Sequence, residues 1–249
     1  MNLIGKIALV TGGASGIGRG ICIRLARDGA DMAIFDLDGA GAQRVGEDVQ
    51  ALGRRVLAVR VDVASATSVA SGVERVRQTF GHIHILVNDA GICTFVPFTQ
   101  MSEQQWDQMI AVHLKGAFLC SRAVVPDMVA AGWGRIVNLS SVAGLNGGSA
   151  GLAHYAAAKG GIVGFTKALA HEFGPAGITV NAIAPGLVDT PMVRAAGVTD
   201  AVIEQTLLRA PVRRIGQADD IAAACAYLVS EEAGFVTGQV LSPNGGTYL

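Results

Sequence analysis

The sequence predicts an α/β fold, a parallel, doubly wound sheet with helices on both faces. Three observations lead there. Short β-rich apolar runs alternate with longer helical runs along all 249 residues, the pattern of successive strand–helix–strand units. Hydrophobic residues make up 51% of the chain, enough for a sizeable core, yet no uninterrupted apolar run approaches the ~18 residues of a membrane-crossing helix. No internal repeat, linker or low-complexity segment breaks the alternation, so a single domain over 1–249 is expected.

In chain order, Lys6–Val10 reads as the first strand, followed by a glycine-rich turn and a helix from Gly16 to Asp28. Asp31–Phe35 is a second strand and Gly39–Leu52 its helix. Arg55–Val61 is a third strand, before a helix over Ser65–Phe80 in which the Ser65 hydroxyl suits the N-cap. Ile83–Val87 is a fourth. Ser102–Ala130 reads as one long helix opened by a cap and acidic Glu103, with a break or kink expected at Pro126, which lacks an amide donor. Arg135–Leu139 is a fifth strand, Leu152–Phe173 an Ala/Gly-rich helix, Ile178–Ile183 a sixth strand and Gln239–Leu241 a short seventh. The least regular stretch, Gly186–Gln217, holds Pro191, Pro211 and a short helix near Asp200–Leu208. A long irregular insert in a compact domain is expected to be a lid or binding loop.

Net charge is −1, from 19 basic and 20 acidic residues spread along the chain, which argues against nucleic acid or an anionic membrane as partner. Mean hydropathy of +0.43 comes from Ala, Val, Ile, Leu and Gly rather than from a spanning segment. Met1 to Lys6 run straight into a strand, so no signal peptide is expected. Cys22, Cys93, Cys120 and Cys225 include no Cys-x-x-Cys and no metal-like spacing with the histidines. No metal site is expected, and reduced thiols fit a cytoplasmic protein.

The turn after the first strand reads Thr11-Gly12-Gly13-Ala14-Ser15-Gly16-Ile17-Gly18. Glycines here let the main chain approach a pyrophosphate, which then rests on the N-terminus of the following helix. Gly12, Ser15, Gly16, Ile17 and Gly18 are the cofactor candidates, although the spacing Gly-x-x-x-Gly-x-Gly departs from the commonest dinucleotide fingerprint. Asp36 ends the second strand, 18 residues past Gly18, with Leu37 beside it. A carboxylate there bonds a ribose 2′-hydroxyl and repels a 2′-phosphate, and neither Ala14 nor Ser15 offers a compensating cation. NAD(H) is therefore favoured over NADP(H).

Tyr155 and Lys159 stand four apart in the Ala/Gly-rich helix, which puts them on one face with Cβ atoms roughly 5–6 Å apart. A nearby ammonium lowers a phenol's pKa, so the two form a proton-transfer pair. Together, Thr11 to Gly18, Asn88-Asp89-Ala90-Gly91, Ser141, Tyr155-x-x-x-Lys159 and Pro185-Gly186 resemble the short-chain dehydrogenase/reductase superfamily, in order and across essentially the whole chain.

That resemblance implies a Rossmann-type sheet of seven parallel strands in the order 3-2-1-4-5-6-7. It implies an enzyme that interconverts a secondary alcohol and a ketone by hydride transfer, commonly as a homotetramer. Asp62 and Val63 would flank the adenine, Asn88, Ala90 and Gly91 would line the cofactor, and Pro185, Gly186, Val188 and Thr190 would hold the nicotinamide end. Tyr155 would be the general acid/base, and Lys159 would lower its pKa and hold the nicotinamide ribose. Ser141, rather than Ser140, would polarise the substrate oxygen, where positioned donors stabilise the developing charge. The family's usual asparagine, which holds a relay water behind the lysine, is here His113. A neutral imidazole both donates and accepts, and its titration would add a pH dependence. Asp89 replaces a more usual asparagine and is read as structural, since a carboxylate accepts hydrogen bonds but cannot donate them.

For the substrate, acyl-carrier-protein reductases of this family carry basic residues just before the Gly-Arg-Ile of the fifth strand and before Gly-Ile-Thr-Val-Asn, where an acidic carrier docks. Here those positions are Ala130-Ala131-Gly132 and Ala176. The expected pocket walls, Ile92–Phe98, Leu145–His154 and Gly186–Leu208, are small and apolar without an Arg or Lys clamp. A neutral ketone or secondary alcohol is expected; a 3-oxoacyl thioester and a polyol or sugar are the alternatives. A nucleotide-sensing binding protein is the non-enzymatic alternative, disfavoured by intact Ser141, Tyr155 and Lys159. His154 either touches substrate or lies exposed.

Overall fold

Seven strands build one parallel sheet: β1 (Ile7–Thr11), β2 (Asp31–Asp36), β3 (Val56–Arg60), β4 (Ile85–Asn88), β5 (Gly134–Leu139), β6 (Ile178–Ile183) and β7 (Val240–Leu241). The computed structural model describes residues 2–249 and orders them β3-β2-β1-β4-β5-β6-β7, as the resemblance implies. Ten α-helices are described: α1 (Gly16–Arg27), α2 (Gly39–Ala51), α3 (Ala66–Phe80), α4 (Glu103–Ile110), α5 (Gly116–Ala131), α6 (Val142–Asn146), α7 (Ala153–Phe173), α8 (Pro191–Ala195), α9 (Asp200–Arg209) and α10 (Ala218–Val229).

Successive strand residues point to opposite faces, so each strand feeds two cores. Ala8, Val10, Met32, Ile34 and Val87 pack against α1, α2 and α10. Ile7, Leu9, Ala33, Phe35 and Leu86 pack against α3, α5 and α7. Strands buried on both sides need this double cover, which helical crossovers supply.

Most elements begin and end within two residues of the sequence reading. Besides the short α6 after β5, three features differ. The stretch expected as one helix over 102–130 is α4, a π-helical turn at Ala111–Lys115, and α5. Ser102 and Gln105 cap α4 reciprocally, and α5 ends at left-handed Gly132. The disruption therefore falls at the π turn, while α5 continues through Pro126. Arg77 of α3 braces that region, donating to the Ala123 carbonyl at 2.7 Å and to the Asp127 carboxylate at 3.0 Å. The span Glu103–Ala131 is long and apolar enough to cross a membrane; half of its most apolar 18-residue window is buried here, with Leu119, Cys120, Val124 and Met128 in the core.

The sequence reading placed no helix at α10. Asp219 and Asp220 in its first turn complement the helix dipole, and the alanine-rich run that follows favours helix. It packs closely on α1 because Gly20 leaves room: a Cβ there would stand 2.9 Å from that of Ala218. Finally, the irregular 186–217 stretch contains α8 as well as α9. Its neck is pinned where Asp189 N–H donates to the Gly216 carbonyl (2.9 Å) and Gly216 N–H to that of Leu187 (3.0 Å).

Candidate active site

β1 delivers the chain into a turn that only glycine fits. Gly12 has φ +71°, and a Cβ there would lie 2.8 Å from the Ala90 Cα. A Cβ on Gly18 would overlap the Gly12 carbonyl oxygen and stand 2.7 Å from Asp89 Oδ2. The Thr11 hydroxyl accepts from the Asp89 and Ala90 amides, both at 3.1 Å, locking the turn to the loop after β4. Ser15 is the N-cap of α1 but its side chain caps nothing, leaving the hydroxyl facing the cleft. The Asp36 carboxylate accepts from the Ala14 amide (3.0 Å) and the Asp38 amide (2.9 Å), at the lip where exposed Leu37 follows.

A cleft of about 280 Å³ opens over this turn, lined by Gly12, Ser15, Gly16, Ile17, Asp36, Leu37, Asp62, Val63, Ala90, Gly91 and Thr190. A second cavity of about 100 Å³ adjoins it, lined by Ser140, Ser141, Tyr155, Lys159, His113, Pro185, Gly186 and Val188. Ile17, Asp89, Gly91, Thr190 and Met192 border both, so the two are continuous. The glycine cradle, the amide-rich start of α1 and the carboxylate at the end of β2 fit a dinucleotide. Two of the expected cofactor residues lie behind this wall. Gly18 packs beneath the turn, and buried Asn88 donates to Ser121 Oγ (3.2 Å) and Asn138 Oδ1 (2.8 Å), while Asn138 donates to Thr166 Oγ1 (3.0 Å). This ladder ties β4 and β5 to α5 and α7. The cleft also takes in Phe35, Gln108, Val112, Pro191 and Met192, whose residue types carry no binding signal.

Ser140 and Ser141 separate cleanly. The Ser140 hydroxyl is buried and donates to the Lys159 carbonyl at 2.8 Å, tying β5 to α7. Ser141 caps α6, accepting from the Ala143 amide at 3.1 Å, and is half-buried at the second cavity. Lys159 is buried, and its ammonium donates to the Leu139 carbonyl at 2.5 Å and lies 5.7 Å from the Tyr155 ring centroid. Burial pushes the Lys159 pKa down, with Asp89 pulling the other way. Burial pushes the Tyr155 phenol up; Cys93 and Asp89 add to this, and the Ser141 hydroxyl opposes it. Desolvation leads the shift, opposite in direction to the lowering expected from the lysine, and the phenol holds its proton at neutral pH.

His113 is buried, edge-on to Tyr155 with ring centroids 5.4 Å apart and planes at 89°. Its Nε2 lies 3.1 Å from the Ile92 amide and 2.8 Å from the Ile92 carbonyl. One ring nitrogen cannot accept and donate at once, whereas an asparagine would use two atoms. Burial and Lys159 hold His113 well below its usual range, so it is neutral at neutral pH and the expected pH dependence from its titration is absent there. Among the described residues, neither His113 Nδ1 nor Asn88 Oδ1 has a hydrogen-bond partner. Both residues, with Thr11 and Lys159, line a narrow space the size of a single water.

His154 neither borders the cavities nor reaches solvent. It is fully buried, with Nε2 3.3 Å from Thr94 Oγ1, because the 92–98 and 144–151 loops meet over it through Val96 N–H to the Gly151 carbonyl at 3.0 Å. Asp89, read as structural from sequence, borders both cavities. The four cysteines are unpaired, and among the described residues no group of three His, Cys, Asp or Glu side chains is placed to hold a metal.

A family model described as enoyl-(acyl carrier protein) reductase matches residues 12–248. The chain is 41% identical over 249 residues to a 3-oxoacyl-[acyl-carrier-protein] reductase of Pseudomonas aeruginosa, covering all of both chains. It is 43% identical over 250 residues to a subunit of (2S)-[(R)-hydroxy(phenyl)methyl]succinyl-CoA dehydrogenase of Thauera aromatica, covering 100% of this chain and 99% of that one. It is 43% identical over 243 residues to nodulation protein G of Azospirillum brasilense, covering 97% of each. With the strand order, the glycine turn and the Ser141, Tyr155 and Lys159 arrangement already in place, the chain belongs to the short-chain dehydrogenase/reductase superfamily and is 3-oxoacyl-reductase-like.

Proposed function

We propose that the protein is an NAD(H)-dependent oxidoreductase interconverting 3-hydroxyacyl and 3-oxoacyl thioesters, with Tyr155 as general acid/base. The observation that carries this reading is the continuous cleft from Asp36 to Tyr155. The thioester takes precedence over the free ketone favoured from sequence, because relatives matched end to end are named for acyl-carrier-protein and CoA esters. Ala130, Ala131, Gly132 and Ala176 offer no cation to an acidic carrier, which favours the CoA ester.

When bound, the nicotinamide supplies the hydride. The first-turn amides of α1 would hold the pyrophosphate, and Asp36 would accept from the adenosine ribose. Ser141 donates to the ketone oxygen, and Tyr155 gives that oxygen its phenol proton as charge develops there. Burial keeps the phenol protonated at neutral pH, the form that ketone reduction needs. Lys159 and the space beside His113 and Asn88 offer the phenol a route for regaining its proton.

Oxidation of NADH, followed by absorbance with acetoacetyl-CoA, is the direct test. Silence with thioesters alongside turnover of a simple ketone would return the reading to the free ketone. Asp36→Ala is expected to weaken NADH by about tenfold or more, the scale of a hydrogen bond to a charged group, and to improve NADPH relative to it. A merely structural role in holding Ala14 would lower both cofactors equally. His113→Asn is expected to keep turnover within about tenfold and to leave the pH–rate profile near neutrality unmoved. A shifted limb would mean that His113 titrates in the working range.

A further inference from the structure

Three consecutive residues at the end of β5 meet the active site in different ways. Leu139 accepts from the Lys159 ammonium through its carbonyl, Ser140 donates to the Lys159 carbonyl at 2.8 Å, and Ser141 faces the second cavity. Ser140 is itself fixed to the sheet, since its amide donates to the Ile183 carbonyl of β6 at 2.7 Å. From the other side α6 closes on the same peptide, where a Cβ on Gly144 would stand 2.6 Å from the Lys159 carbonyl carbon. A second tie lies further along α7, where Asn138 of β5 donates to Thr166 Oγ1 at 3.0 Å. Lys159 and Thr166 are seven residues apart, close to two full turns, so both ties grip one face of α7 and fix its rotation. Tyr155 stands one turn before Lys159, near the start of that helix. With the Ser140 tie gone, the remaining one of the pair would lie about 16 Å along the axis from Tyr155.

The carbonyl does not need this hydroxyl. Lys159 lies inside α7, where its carbonyl already has a helical partner four residues on. An alanine in place of Ser140 would leave no polar group unpaired, whereas the buried serine commits its donor to this one bond. What the bond adds is registry. We propose that Ser140 is a positioning residue for proton transfer: by holding the Lys159 main chain, it sets where the Tyr155 phenol stands relative to Ser141. This rests on the reading of Tyr155 as general acid/base. In this role Ser140 meets neither substrate nor cofactor and acts through α7. A displacement of about 1 Å between reacting groups costs up to about a hundredfold in rate, so loss of the tie is felt in turnover before it is felt in binding.

The test is a double-mutant cycle on the full-length protein, with NADH oxidation followed in the presence of acetoacetyl-CoA. Ser140→Ala is expected to lower kcat by about tenfold or more, with the KM for acetoacetyl-CoA and the NADH affinity within about twofold of wild type. In a Tyr155→Phe background the same substitution is expected to change the residual rate by less than about twofold, because no phenol is left to position. Circular dichroism melting shows whether each variant is folded at the assay temperature. Ser140→Cys, of similar volume and only a weak donor, takes the place of an unfolded alanine variant. Wild-type turnover in Ser140→Ala, or an equal loss in both backgrounds, would overturn the proposal. So would a raised KM with unchanged kcat, which would put Ser140 against the substrate. Loss of fold in both serine variants would overturn it too, since the hydroxyl would then hold the fold and not the phenol. A wild type silent with every thioester and ketone would overturn the general acid/base reading itself, which an active wild type with an unaffected variant leaves standing.

Discussion

Tyr155→Phe is expected to lower turnover by about a hundredfold or more, the range of general acid–base catalysis, while NADH still binds. The substitution removes one oxygen and keeps the ring, so the edge-on packing against His113 at 5.4 Å survives and the cavity keeps its shape. Lys159 retains its bond to the Leu139 carbonyl, which does not involve the phenol. The loss should therefore appear in kcat, with NADH affinity by fluorescence titration close to wild type. Near-normal turnover would show that the proton comes from elsewhere, with half-buried Cys93 or solvent the remaining sources near the phenol.

The second large effect is expected at Gly18→Ala. Gly18 does not have a positive φ, so the penalty is a collision and not backbone strain. The new Cβ would meet the Gly12 carbonyl oxygen and the Asp89 carboxylate together. The first is main chain, and it cannot swing aside because the Gly12 amide is bonded to the Phe35 carbonyl at 2.8 Å. Overpacking of this kind costs about 1–3 kcal/mol, and here it opens the turn that faces the cofactor. A fall in NADH affinity of more than about tenfold is expected, with a lower thermal midpoint. Gly164→Ala is the control: that glycine is exposed in α7 with nothing within 4 Å of a Cβ, so alanine there should stabilise the helix slightly. If Gly18→Ala bound NADH like wild type, close packing beneath the turn would not be what shapes the site.

The strand–helix alternation was legible because each strand is a short apolar run and each crossover helix carries its own period. The choice of Ser141 over Ser140 came from family resemblance, and the geometry gives it a reason in the main-chain bond that occupies Ser140. The π turn left no mark in residue type, since it arises from a shift in main-chain bonding, and Pro126 drew the expected break to the wrong place. His154 was misplaced because its burial depends on two distant loops meeting over it. Asp89 was read as structural, and only the fold shows that the loop after β4 brings it against Gly18 and the cleft. The substrate was the least legible feature, as its pocket is assembled from three separate loops whose apolar residues suit many ligands.

The π turn has a mechanical consequence. At roughly 100° per residue, an unbroken α-helix would place Trp106 about 120° around the axis from Phe118. The one extra residue taken up at Ala111–Lys115 reduces this to about 20°, and Phe118 and Val129 are separated by a similar angle. Trp106, Phe118 and Val129, 38%, 42% and 45% exposed, thus fall in one stripe along the outer side of the helix, while Gln108 keeps its place at the cleft. Deleting a single residue from the turn would shorten the helix by only about 1.5 Å but rotate everything before it by about 100°. The turn sets the phase between the outer stripe and the cofactor cleft, so this helix tolerates changes of residue far better than changes of count.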